Sequence, residues 1–198
     1  MQEAKEAMQV VMQVVKLDEA GYAPAMLGIH HSYTEEHCIT KEHTMFDLGR
    51  TKKRANVLCN KDGGHNKFLE QIQLWYNIRA PLYWWKEFDT YRVGVSKSSK
   101  STMHTILSKP LKQSDFSQDV SLRTIKSMEA LRLAGEFSQL ISELPNGFLQ
   151  TRMVNFNYRT LRNIYLQRGG HKLPEWSAFI QEVLASINHP EFINNKKE

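Results

Sequence analysis

The stretch Asn157-Tyr158-Arg159-Thr160-Leu161-Arg162-Asn163-Ile164-Tyr165-Leu166-Gln167-Arg168-Gly169-Gly170-His171 decides the reading of this chain. Leu161, Ile164 and Tyr165 fall at the i, i+3, i+4 spacing of an amphipathic helix, and the next place in that stripe, i+7, is Arg168. An arginine where the pattern calls for an apolar side chain needs a partner for its charge. Arg159 and Asn163 stand about 40° apart on a different face, close enough to grip one ligand group together. Gly169-Gly170 then stops the helix and turns His171 back toward the same region. Taken alone, the helix is most simply explained as a solvated polar face. A second region shifts that balance.

The rest of the chain sets bounds. Its 198 residues suit a single domain over 1–198. With 41% hydrophobic and 24% charged residues, the composition is that of a soluble globular protein, and no apolar run approaches the roughly 20 residues of a membrane span. The net charge of +5 is compatible with anionic ligands such as nucleotides. It does not indicate nucleic-acid binding, because the basic residues are dispersed apart from Lys52-Lys53-Arg54 and Lys196-Lys197, and no nucleic-acid motif accompanies them. Cys38 and Cys59 are too few for a disulfide framework, and the opening Met-Gln-Glu-Ala-Lys-Glu lacks a signal-peptide pattern, so a cytoplasmic location is expected. His30, His31, His37, Cys38 and His43 match no metal-ligand spacing, and no metal site is expected.

Along the chain, residues 7–17 read as a strand or a short buried helix, with periodicity unable to decide. After a break at Ala20-Gly21-Tyr22-Ala23-Pro24, Ala25 to Ser32 reads as a short strand. Lys41 to about Cys59 is expected to be helical, Glu70 to Ile78 a strand, and Leu82 to Arg92 a short helix opened by Pro81. Ser96 to Ser101 reads as a loop. A long helix is expected from Ser121 to Leu144, ended by Pro145-Asn146-Gly147, and a last one from Leu173 to Ile187 behind Pro174-Glu175. Residues from Asn194 onward are expected to fray. The fold class is α+β.

The second region is Gly64-His65-Asn66-Lys67-Phe68-Leu69-Glu70, which sets an imidazole and a carboxylate just before a strand. Each alone is more simply a turn residue or a solvated strand edge. In order, the chain shows Gly-His-x-x-x-x-Glu, a strand, Ala-Pro, an aromatic helix ending in Arg, a serine-rich loop, a long helix and Leu-Pro. Asn157-x-Arg159-x-Leu161-x-Asn163-x-x-x-x-Arg168 and a nearby His171 follow. This order, over roughly Asp62 to Phe192, resembles the flavin-dependent thymidylate synthases.

The resemblance implies a small antiparallel sheet packed with long helices, a homotetramer, and FAD bound between protomers. It further implies one-carbon and hydride transfer to dUMP or a related pyrimidine nucleotide, with methylenetetrahydrofolate and NADPH as co-substrates. By the same resemblance His65 and Glu70 lie near the flavin, Asn157, Arg159, Asn163 and His171 hold it, and Arg168 stands beside flavin and pyrimidine as the catalytic arginine. Amide side chains can pair with flavin ring edges, and arginine suits a pyrophosphate or an electron-rich carbonyl.

The family signature Arg-His-Arg, seven residues, Ser is replaced here by Thr90-Tyr91-Arg92 and the run beginning at Val93, with Tyr91, Arg92 and Val93 at the flavin-facing places and Ser99 or Ser101 supplying the serine. Glu87 stands where a glutamine usually faces the pyrimidine, and Ile141 where an arginine is expected. Losing phosphate-binding arginines, at about 1.5–3 kcal/mol each, weakens dUMP binding unless Lys97, Lys100 or Arg152 substitutes. Trp84 and Trp85 read as core and His104 as structural or exposed. The alternatives are a flavin- or nucleotide-binding homologue that has lost thymidylate synthesis, and a structural oligomer without cofactor.

Overall fold

The computed structural model describes residues 12–34, 47–61 and 63–194. His37, Cys38, His43, Met45, Lys196 and Lys197 lie outside them, as do the expectations for 7–11 and 195–198. Four antiparallel strands form one sheet: β1 (Gln13–Ala20), β2 (Gln73–Pro81), β3 (Val95–Ser99) and β4 (Leu149–Asn157), in the order β1-β2-β4-β3. β2 and β4 pair from Gln73↔Asn157 to Pro81↔Leu149, and this long central register places the ends of both strands beside the helices that follow them.

Along β2, Leu74, Tyr76, Ile78 and Ala80 alternate into the core, joined from β4 by Val154 and Phe156. Helices α3 (Leu82–Phe88), α7 (Tyr158–Arg168) and α8 (Pro174–Ser186) cover that face. Trp84, Trp85, Phe88, Trp176 and Phe179 are fully buried there, which bears out the core reading of the tandem tryptophans. Trp84 and Trp176 pack with ring centroids 4.9 Å apart. Fully burying one such side chain contributes about 1.5–3 kcal/mol. Tyr158 fastens β1 to this layer, its hydroxyl donating to Glu19 Oε1 at 2.5 Å. Burial, reinforced by that carboxylate, pushes the Tyr158 phenol far above its ordinary pKa, so it remains a donor.

Ala25 to Ser32 is helix, not strand: α1 spans Tyr22–His31. Gly21, at φ +95°, makes a left-handed turn after β1 where any Cβ would strike the Gln71 carbonyl, and Ala25, Met26 and Ile29 then bury at helical spacing. Pro24 is tolerated in the first turn because its missing N–H would find no partner there. The expected helix ending at Cys59 is α2 (Leu48–Leu58), opened by Asp47, whose side chain accepts from Arg50 N at 2.9 Å. Lys67–Glu70 is a 3-10 turn, so β2 starts three residues later than Glu70.

Ser96 to Ser101 is mostly strand rather than loop, since β3 pairs with β4 from Val95↔Phe156 to Ser99↔Arg152. The expected long helix is broken in two, α5 (Leu122–Ala134) and α6 (Phe137–Glu143), by Gly135 at φ +73°. The amides of Gly135 and Glu136 return to Arg132 O and Leu131 O, closing the end of α5. With α4 (Thr102–Thr105) these helices enclose a small separate core of Ile106, Met128 and Leu140, against which Ile141 packs. A short α9 (Glu191–Asn194) ends the described chain.

Candidate functional site

Asn157 ends β4 and opens α7. Its side-chain oxygen accepts from Thr160 N at 2.9 Å, the hydrogen bond that starts a helix, and the residue is buried. The turn before β3 packs over this cap: Thr160 Oγ1 donates to Val93 O at 2.9 Å, and a Cβ on Gly94 would come within 2.3 Å of Asn157 Nδ2. Gly94 holds φ +67°, so glycine is required twice over. The Val93 side chain is 88% exposed and Arg92 is also exposed, with no ion pair among the described residues.

From that cap the remaining site residues separate into groups. On one side of α7, Arg159 pairs with Glu70 at the end of the 3-10 turn, and both are well exposed. Asn163, one turn on, is exposed, and so is His65. Asn66, beside His65, is buried with its Oδ1 lacking a hydrogen-bond partner.

At the other end of α7 stands Arg168. Its Nη1 lies 3.2 Å from Glu87 Oε2, its Nε donates to Tyr91 Oη at 3.1 Å, and its guanidinium carbon is 5.0 Å from the Trp176 ring centroid. The partner demanded by an arginine in an apolar stripe is therefore Glu87. That carboxylate also accepts from Trp176 Nε1 at 2.8 Å and faces His171 Nε2 at 3.5 Å. His171 Nδ1 accepts from Leu173 N at 3.2 Å, which leaves Nε2 as the protonated nitrogen turned toward Glu87. Tyr91 in turn donates to Gln167 at 3.0 Å. His171 thus joins Arg168 rather than Arg159 and Asn163, because the two glycines return the chain to the α3 side.

The third group lies on the β3–β4 edge. Ser99 is exposed, and Ser101 caps α4 by accepting from His104 N at 3.3 Å. Two of the three expected substitutes for missing arginines are already engaged: Lys97 Nζ is 2.6 Å from Asp89 Oδ1, and Arg152 Nη1 reaches both Asp89 oxygens at 3.0 and 3.1 Å. Burial opposes ionisation of Asp89, but the hydrogen bonds and charges of Lys97 and Arg152 outweigh it and hold the carboxyl below its ordinary pKa. Lys100 alone of the three has no ion pair among the described residues.

Trp176, Gln167 and Asp89 were not singled out from sequence. Trp176 reads as an ordinary member of the α8 apolar stripe, and only its nearness in sequence to His171 hints at more. Among the described residues no three metal-ligating side chains come together.

No family model and no curated protein matches the sequence. Solved structures do match its shape. Thymidylate synthase X (ThyX) from Helicobacter pylori, solved with FAD and dUMP, superposes with a TM-score of 0.72 at 17% identity, over 93% of this chain and 98% of that one. The fold is that of the flavin-dependent thymidylate synthases. A second structure of the Helicobacter pylori enzyme with FAD and dUMP gives 0.74 at 16% identity, over 94% of this chain and 100% of that one. The UMP/dUMP methylase PolB from Streptomyces cacaoi, bound with 5-Br dUMP, gives 0.64 at 13% identity over 88% of each chain. The flavin-dependent thymidylate synthase fold is therefore present over nearly the whole chain, with the antiparallel sheet expected of it. No described helix is long and apolar enough to cross a membrane.

Proposed function

We propose that this protein is an FAD-dependent, thymidylate synthase-like enzyme that modifies a pyrimidine nucleotide, dUMP or a close relative, between protomers of a homotetramer. The observation that carries the reading is the setting of Arg168, held by Glu87, Tyr91 and the Trp176 face on a fold shared with FAD- and dUMP-bound structures.

The donor set suits the cofactor. Asn163 and His65 offer exposed donors for phosphate and ring-edge acceptors, Arg159 would add its own on exchanging Glu70 for the ligand, and Asn66 Oδ1 is a buried acceptor lacking a donor. FAD, when bound, would supply hydride chemistry and one-carbon relay, with methylenetetrahydrofolate and NADPH as co-substrates. Arg168 would stabilise negative charge developing on the pyrimidine, with Glu87 and Tyr91 fixing its plane and Trp176 keeping water from one face. Arg159 and Arg168 are nine residues apart, which turns them about 180° from each other on the helix. A single protomer does not offer both to one ligand, which favours sites completed by a neighbour. The solvent face of the sheet, with Val15 56% and Leu17 50% exposed, offers apolar surface for such contacts.

Purified protein should carry flavin near one equivalent per chain or take it up from added FAD, and should release tritium from labelled dUMP with methylenetetrahydrofolate and NADPH. Arg159→Ala and Asn163→Ala should each lower flavin retention about tenfold or more. Colourless protein that no added FAD reconstitutes would defeat the proposal. The second reading, a flavin or nucleotide binder without thymidylate synthesis, draws support from the engagement of Lys97 and Arg152 by Asp89, and predicts flavin without tritium release.

A further inference from the structure

Trp84, Trp85 and Trp176 are all fully buried in the core, yet their indole N–H groups end differently. Trp85 donates to a backbone carbonyl, that of Gln150, at 2.9 Å. Trp84 Nε1 is buried with no hydrogen-bond partner among the described residues, so this core keeps one indole unpaired. Of the three, only Trp176 gives its proton to an ionisable side chain, donating to Glu87 Oε2 at 2.8 Å.

Apolar packing accounts for the Trp176 ring and not for that bond. Trp84 and Phe88 flank the ring with centroids 4.9 and 6.2 Å away, as they would flank a phenylalanine. The carboxylate is equally unexplained by its own element, since Glu87 stands in the last turn of α3, where the helix dipole disfavours a negative charge. What unites the two is Arg168. Its Nη1 lies 3.2 Å from the same Oε2, and its guanidinium carbon is 5.0 Å from the Trp176 ring centroid. One side chain therefore touches both members of the ion pair, Glu87 through its N–H and Arg168 through its face. His171 Nε2, 3.5 Å from Oε2, and Tyr91 Oη, which accepts from Arg168 Nε, complete the enclosure. Among the described residues Arg168 Nη2 donates no hydrogen bond, and it is the end left for a ligand.

We propose that Trp176 is a positioning residue for Arg168, acting through Glu87. The last torsion of a glutamate side chain is broad, so an unrestrained Glu87 would swing. The indole N–H fixes Oε2 on the guanidinium side, and a hydrogen bond to an ionised acceptor is among the stronger ones. Held in this way, Glu87 sets the plane of the guanidinium against the Trp176 face and keeps Nη2 aimed in one direction. Stabilising charge that develops on a ligand requires a donor preorganised in that manner. The effect on turnover rests on the proposed function, and the positioning itself does not.

Trp176→Phe keeps an aromatic face and removes the donor. Exchange of the Arg168 Nε–H with solvent, followed by nitrogen-15 NMR of the full-length protein and assigned by its loss in Arg168→Lys, should quicken about tenfold in that variant. In a Glu87→Ala background the same change should add nothing, because the carboxylate through which Trp176 acts is gone. In turnover, kcat should fall about tenfold, with KM within about threefold and flavin content unchanged. A tryptophan that only fills the core would lower the melting temperature and leave Arg168 exchange as it was. That outcome overturns the proposal, as does equal quickening with and without Glu87. If Trp176→Phe does not fold, Glu87→Ala decides alone: the Trp176 indole N–H should exchange about tenfold faster, and an unchanged rate overturns the proposal. Colourless protein that no FAD reconstitutes would defeat the proposed function and leave the exchange results standing.

Discussion

The C-terminal end of α7 and the β3–β4 edge each bring basic side chains to a carboxylate, and the two are built in opposite senses. At the end of α7 one arginine is surrounded: Glu87, Tyr91 and Trp176 all address Arg168. At the sheet edge one carboxylate is surrounded, since Asp89 takes both Lys97 and Arg152. A basic residue near a site therefore counts toward ligand binding only after its internal partners are subtracted. By that measure Asp89 cancels one of the two charges at the edge and leaves one for an anionic ligand, while Arg168 is balanced by Glu87 and offers a fixed position rather than a free charge.

The largest test of this contrast is Arg168→Ala, which should lower turnover a hundred- to a thousandfold, the usual loss for a positioned charge-stabilising group, with melting temperature little changed. Turnover within tenfold of the unaltered protein would place the chemistry elsewhere. Next comes the other face of the same helix. Arg162 is 6% exposed and donates to the carbonyls of Phe192 at 3.2 Å and Ile193 at 2.8 Å and to Asn60 at 2.5 Å. Arg162→Met should strip those acceptors and cost about 2 kcal/mol of stability in denaturant titration, with the activity of the remaining folded protein preserved.

The smallest effect belongs to Asp89. Its folded pKa is depressed, so the stabilisation from its ion pairs is present above its ordinary value of 3.8 and is lost as pH falls through the folded value. Asp89→Asn should flatten that acid limb by about 1 kcal/mol or less, because the side chain is 42% exposed and solvent screens it. The same variant frees Lys97 and Arg152 and should tighten nucleotide monophosphate binding severalfold; weaker binding would mean that Asp89 positions those cations instead of consuming them.

How much of this was legible in the sequence differed with the kind of signal. The helices from Tyr158 and Pro174 announced themselves through a clear apolar stripe and, in the second, a proline at the first turn, all local features. β3 did not, because Ser-Lys-Ser-Ser carries no alternation and its strand form is imposed by pairing with β4. Ala25 to Ser32 reads as strand because Pro24 and Gly28 weaken a helical signal that Ala25 favours, and the deciding contact, Gly21 against Gln71, is distant in sequence. In the site, the anomaly at Arg168 was readable and its partner was not, since Glu87 arrives from α3 across the fold. The half-turn between Arg159 and Arg168 was calculable from the helical step alone, and with it the separation of the two groups at α7.

The small core of Ile106, Met128 and Leu140 bears on how the molecule breathes. A layer sealed by so few buried side chains opens at lower free energy than the sheet and its aromatic helices. Amide hydrogens of α4 to α6 would thus exchange with solvent ahead of those of β2 and β4. Ser101 and Lys100 border that layer, so the edge proposed to meet a nucleotide is also a part of the fold able to yield to one.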